Sequence, residues 1–225
     1  MSDVKEQFNY FFINTLEWIF SIFIYDLGFK YILKKKDNLI RWFYLHSLIN
    51  FKIVICCIIP IIKFLQDPIY HILYPIRFND SIYIILALHL YHLIFYKCKI
   101  DEIIHHIIFV VLGGLFQIYN NIGYISAFYH FFICGLPGGI DYYLLSQVKE
   151  GNLDKKTRIK LAVDLNIWLR APGIIITWAL VWICHVNQNE YNLNNNLILL
   201  FTLIPSIVNA QYYSKQVAIA YGKYL

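Results

Sequence analysis

Apolar runs long enough to cross a bilayer alternate along this chain with short polar connections. A membrane-spanning helix needs about 20 apolar residues, with a usual range of roughly 17 to 25. On that ruler seven helices are predicted, at about 8–29, 43–65, 81–97, 101–119, 123–147, 161–186 and 196–221. The first is the least regular, because Asn14, Glu17 and Asp26 interrupt it. Between the runs lie KYILKKKDNLIRW, the proline-flanked QDPIYHILYPIRFND, two very short turns, KEGNLDKKTRIK and NQNEYNLNN. The pattern predicts an all-α polytopic transmembrane bundle of about seven spans. Residues 1–40 would supply a first helix and a basic loop, and 41–225 a six-helix domain.

Composition sharpens the class. The 225 residues are 59% hydrophobic and 18% aromatic but only 15% charged, against roughly 25% charged in soluble domains. Mean hydropathy is +0.54. Net charge is +5, and its placement carries the information. Loops 30–42, 97–100 and 149–160 hold five, two and five Lys/Arg residues, whereas 63–80, 120–122 and 187–195 hold two, none and none. Basic loops stay on the cytoplasmic side, so this alternation predicts a lumenal or external N-terminus and a cytoplasmic C-terminus. Cys56, Cys57, Cys98, Cys134 and Cys184 are odd in number and contain no CxxC pair; they read as small buried hydrophobes, not as a disulfide framework or zinc knuckle. The first apolar run lacks the basic flank and small-residue cleavage site of a signal peptide.

Polar residues inside the runs are the candidate chemistry. Counted from the predicted cytoplasmic ends at about 1.5 Å per residue, His46 and Asn50, His92 with His89 one turn deeper, His105 and His106, and Asp141 share the cytoplasmic half of five helices, with Arg170 nearer the middle. Such residues usually face a bundle interior or wet cavity. In KIDEIIHHIIF, Asp101 precedes His105 by four residues and Glu102 precedes His106 by four. One turn apart, each carboxylate is placed to orient an imidazole as a general base. The competing reading is structural: carboxylates in a helix's first turn stabilise its dipole. A lone His130 reads as a satisfied interhelical hydrogen bond, Pro60, Pro137, Pro172 and Pro205 as kinks, the Gly113-Gly114 and Gly138-Gly139 pairs as close helix approaches, and Lys52 as needing a partner or water.

The segments RWFYLHSLINFKIV, ALHLYHLIFYKCKIDEIIHHIIFVVLGG, GLPGGIDYYLLSQVKEG and NIWLRAPGI resemble, in order and loop pattern from about residue 41 onward, the TLC-domain family of membrane proteins. That family includes ceramide synthases and regulators of membrane lipid composition. The resemblance implies a helical bundle around a lipid-accepting cavity, in an endoplasmic reticulum or other endomembrane. By position, His105 and His106 match the synthases' paired histidines and Asp141 matches the second of their two aspartates. Pro137 and Gly138 stand where the synthase pattern has His-Asp, so a lipid-binding protein that affects membrane lipid composition is the leading expectation. Asp101, His105, His106 and Asp141 would then be catalytic candidates, and His46, Asn50, His89, His92 and Arg170 lipid- or substrate-binding ones. The alternatives are acyl transfer of ceramide synthase type, with acyl-CoA as co-substrate and a paired-histidine base, or a small transporter or receptor. His89, His92, His105 and His106 also offer metal or haem ligands, but the HxxxH and HxxHH boxes of membrane di-iron oxygenases are absent, and no metal or cofactor is expected. The expected partners are membrane lipids, with no nucleic acid; a homo-oligomer is left open.

Overall fold

In the computed structural model the described residues are 2–73, 80–119, 123–187 and 193–224, and no strand occurs among them. The fold is all-helical. Helix α1 (Ser2–Leu27) runs on into a π-helical turn, Gly28–Ile32. Helix α2 is Asn38–Gln66, α3 is the short Pro68–Leu73 within a predicted connection, and α4 is Ser81–Phe95. Each of the next three is one rod with a π-helical insert. Rod α5 comprises Ile100–Ile104, the insert His105–Leu112 and Gly113–Tyr119. Rod α6 comprises Gly123–His130, Phe131–Gly135 and Leu136–Lys149, and rod α7 comprises Lys155–Leu165, Asn166–Arg170 and Ala171–Asn187. Helix α8 is Leu193–Gly222.

Caps set the helix starts. Asp37 accepts from the Leu39 and Ile40 N–H groups at 2.8 and 2.9 Å, and Asp154 accepts from Thr157 at 2.8 Å. Both satisfy donors that a helix N-terminus leaves open. The second cap starts α7 six residues before the predicted apolar run, so the basic KKTRIK stretch is helical. Two π-helical turns directly precede a proline, at Pro137 and Pro172. Proline has no N–H and its ring crowds the carbonyl four residues back, so the turn below it opens.

Helix α2 is the hub, packed against α1, α4 and α6. Its Leu45, Ile49, Ile53 and Cys57 are fully buried against Tyr83, Leu86 and Leu88 of α4. Rod α5 lies on α4, where Gly114 meets Leu86; a Cβ there would stand 3.2 Å from its methyl carbons. Rod α6 crosses α2 at Gly138-Gly139, fixed by Ser47 Oγ donating to the Gly139 carbonyl at 2.8 Å. Rod α7 packs on α6, and α8 on α7.

Outward surfaces are apolar. Phe12, Phe20, Ile55, Ile59, Leu65, Ile94, Ile107, Trp168 and Ile175 are all exposed. Two described helices, Asn9–Ile32 and Asn38–Gln66, are long and apolar enough to cross a membrane. Only 17% and 28% of their most apolar 18-residue windows is buried, unlike the core helix of a soluble protein. Asp26, which breaks the first apolar run, turns inward. Its carboxylate accepts from Arg41 Nε at 2.5 Å, Tyr91 Oη at 2.8 Å and Tyr96 Oη at 2.9 Å. Lys52 lies over the Tyr25 ring at 5.1 Å.

Candidate functional site

Five of the eight histidines converge from three elements. His46 comes from α2, His89 and His92 from α4, and His105 and His106 from the π-helical insert of α5. Four of them, His46, His89, His92 and His106, are 5–7% exposed. Ring centroids are 5.8 Å apart for His46–His89, 4.8 Å for His89–His106, 6.0 Å for His89–His105 and 5.4 Å for His105–His106. His92 Nδ1 and His106 Nε2 share a hydrogen bond of 2.8 Å. Neighbouring residues on a regular helix point about 100° apart. The wider turn that begins at His105 changes that phase, and both rings of the pair lie against His89. Single π-turns inside α-helices recur at functional sites.

Aromatic rings hold the imidazoles. Trp42 stacks on His92 with centroids 3.9 Å apart and planes 15° from parallel, and meets His46 edge-on at 4.8 Å. Tyr142 stacks on the other ring, 3.6 Å from His46 and 10° from parallel. Tyr213 of α8 stands edge-on to His105 at 5.9 Å. His89 Nδ1 donates to the Ile85 carbonyl at 2.7 Å; in a neutral ring this leaves Nε2 as the acceptor. One turn below His46, Asn50 is 1% exposed and neither amide atom has a protein partner. Its Nδ2 lies where a Cβ on Gly138 would approach to 2.7 Å. His46 Nδ1 is likewise buried and unpartnered.

The other candidates have surroundings of their own. Asp101 is exposed in the first turn of α5. Glu102 accepts from the Lys99 backbone N–H at 2.7 Å as a cap, and it is His92 that hydrogen-bonds His106. Asp141 pairs with Arg158 of α7 at 2.6 Å. Arg170 donates to Asn166 Oδ1 at 2.6 Å and to the Ile133 carbonyl at 3.1 Å, tying α7 to the π-helical turn of α6. His130 is bonded to Ser81 Oγ at 2.7 Å, the interhelical hydrogen bond expected of it.

Three residues of the site have weak sequence signals. Trp42 stands one turn before His46, Tyr142 directly follows Asp141, and Cys98 sits in Lys97-Cys98-Lys99, the one cysteine flanked by charge on both sides. Cys98 Sγ, His92 and His106 each offer a ligand atom, all within 4.8 Å of one another. Between α6 and α7 lies a second feature, an apolar groove of about 330 Å³ lined by Ile140, Leu144, Leu161, Leu165 and Trp168 with Asp164. No family model, curated protein or solved structure matches this chain.

Proposed function

We propose that this chain is an integral membrane protein of about seven spans that holds a polar lipid headgroup against the histidine cluster and so affects membrane lipid composition. The observation that carries this reading is the buried, unpartnered pair of Asn50 and His46 Nδ1 at the cluster. A buried polar group left unsatisfied costs about 1–3 kcal/mol, so such groups in a bundle point to a ligand or ordered water that completes them. The ring and amide atoms suit a hydroxyl, amide or carbonyl headgroup better than a phosphate. Arg41, Arg158 and Lys35 are already paired, with Asp26, Asp141 and Glu150. The groove beside Trp168 offers room for an acyl chain at the bundle surface. The apolar outward surfaces and the succession of helical rods support the span count.

Photo-crosslinking tests this. Protein in detergent micelles, irradiated with a diazirine-bearing diacylglycerol or ceramide, should label peptides from 38–66 and 136–149. Asn50→Leu, which replaces the amide with an apolar group of similar size, should lower that labelling severalfold. Equal labelling by a phospholipid probe, unchanged in Asn50→Leu, would overturn the assignment.

A second reading, acyl transfer, is favoured by the His89 hydrogen bond, which leaves an imidazole nitrogen basic inside the cluster. Loss of a general base costs about 10²- to 10⁴-fold in rate. With a long-chain acyl-CoA and a sphingoid base, release of free CoA that disappears in His89→Gln, or in His105→Gln or His106→Gln, would favour acyl transfer. Lipid labelling without CoA release would favour the binding reading.

A further inference from the structure

The α4–α5 hairpin presents His92, Cys98 and His106 within fifteen residues of chain. Their ligand atoms, including His92 Nδ1 and His106 Nε2 at 2.8 Å, lie within 4.8 Å of one another. We propose that these three residues bind a divalent d-block cation of the zinc class, with a fourth position left open toward the histidine cluster.

The donor set selects the metal. Two imidazoles and a thiolate are borderline-soft ligands that suit Zn²⁺ or Co²⁺, whereas Mg²⁺ and Ca²⁺ take oxygen. Metal–nitrogen bonds of about 2.0–2.1 Å and a metal–sulfur bond of about 2.3 Å put tetrahedral donors roughly 3.3–3.6 Å apart. The longest edge therefore has to close by about an ångström, and the His92–His106 edge, at 2.8 Å, has to open by about half an ångström. Cys98 is the donor able to move. It lies in the connection between two helices, and its thiol makes only long contacts, 3.7 Å each, to the His92 and Tyr96 carbonyls. The imidazoles already stand side by side. Trp42 stacked on His92 holds that ring plane, and the hydrogen bond between His92 and His106 keeps the second ring beside it.

Binding balances with the release of one proton. The Cys98 thiol loses its hydrogen to solvent as sulfur bonds the metal. The imidazole that donates in the His92–His106 hydrogen bond moves its hydrogen to its other ring nitrogen, freeing the lone pair that ligates. The bound unit then carries one net positive charge, and the Glu102 carboxylate at the Lys99 N–H lies one turn before His106. With three protein ligands and an open position the site has the form of a catalytic zinc centre rather than a closed structural one. His89, edge-on to His106 at 4.8 Å, borders the open side.

The test is independent of any lipid. Full-length protein in micelles, stripped with a chelator and titrated with Co²⁺, should take up one equivalent. It should show a near-ultraviolet thiolate-to-cobalt charge-transfer band and the intense visible bands of four-coordination, and Zn²⁺ should displace both. Cys98→Ser should lose the charge-transfer band, His106→Gln should lose the stoichiometric uptake, and Cys134→Ser should leave the spectrum unchanged. Absence of the band in the unmutated chain, or its persistence in Cys98→Ser, overturns the proposal. Should Cys98→Ser fail to fold, alkylation of the unmutated chain decides. Zn²⁺ should slow modification of Cys98 at least tenfold, and an unchanged rate would sink the site.

Discussion

Asp26 accepts three hydrogen bonds inside the bundle, with side-chain exposure of 13%, and its partner Arg41 is 11% exposed. Removing one member of a buried pair leaves the other charged and unpaired, at a cost of about 3–5 kcal/mol. Asp26→Ala should therefore destabilise the protein by that order, read as a lower midpoint in a thermal unfolding assay in micelles. The double change Asp26→Leu/Arg41→Met should recover most of the loss, because neither charge then remains buried; equal loss in the double variant would show that the residues act through packing instead. Lys35 and Glu150 make a different kind of pair, partly exposed at the loops and joined by Tyr44 Oη at 2.7 Å from Glu150. The hydrogen bond from Lys35 holds the Glu150 carboxyl below its ordinary range, and the same bond holds the Lys35 amine above its own. The lowered Glu150 contributes stability that is complete above the ordinary carboxylate range and is lost as pH falls through its depressed value. The raised Lys35 contributes below the ordinary lysine range and loses its share as pH rises through its elevated value. We expect the midpoint difference between the protein and Glu150→Gln to be constant from about pH 6 to 9 and to shrink toward zero below about pH 4. A difference that persisted at low pH would mean the pair is not electrostatic.

Helix α7 meets α6 at Gly173, where a Cβ would fall 2.1–2.4 Å from the Phe132 Cβ and ring carbons. Overpacking of this kind costs about 1–3 kcal/mol. Gly173→Ala should lower the unfolding midpoint, and Phe132→Leu in the same chain should restore part of it; no effect of Gly173→Ala would deny the contact. This contact also shows what the sequence could and could not disclose. Apolar periodicity located the helices, because run length and polar punctuation are local properties. The π-helical turns at 28–32, 105–112, 131–135 and 166–170 were not legible. They arise where proline or packing opens a turn, and they change which residues share a face. Counting four residues back from His105 and His106 therefore suggested carboxylate partners. In the fold, His106 bonds His92 while Glu102 caps the helix. Depth along each run did bring His46, His89, His92, His105 and His106 to one level, since rise per residue survives a change of phase. Asp141 and Arg170 reach polar partners of their own, and those partnerships depend on α7 beginning six residues earlier than its apolar run. Cys98 was grouped with the apolar cysteines, although its two lysine neighbours set it apart.

At the scale of the molecule, the Lys35–Glu150 pair and Tyr44 bind the connection between α1 and α2 to the one between α6 and α7. The predicted loops that contain them, 30–42 and 149–160, hold five Lys/Arg residues each, and basic flanks stay on the cytoplasmic side. In the proposed membrane topology contact and charge are independent, and both require the two loops to emerge from the same face. If α2, α4, α5 and α6 each cross once and the six-residue α3 does not cross, four crossings separate positions 36 and 153, the even number that requirement demands. Cysteines introduced as Lys36→Cys and Leu153→Cys, in a background whose native cysteines are accounted for, should both be protected from a membrane-impermeant maleimide in intact cells or sealed microsomes. Both should react once the cytoplasmic side is opened. A cysteine introduced at Asn189→Cys, in the segment before α8 that holds no Lys or Arg, should react from the opposite side. Labelling of positions 36 and 153 from different sides would break the even-crossing count and with it the placement of the histidine cluster. Labelling of both from outside would keep the bundle and invert it, turning the cluster and its headgroup site toward the lumen.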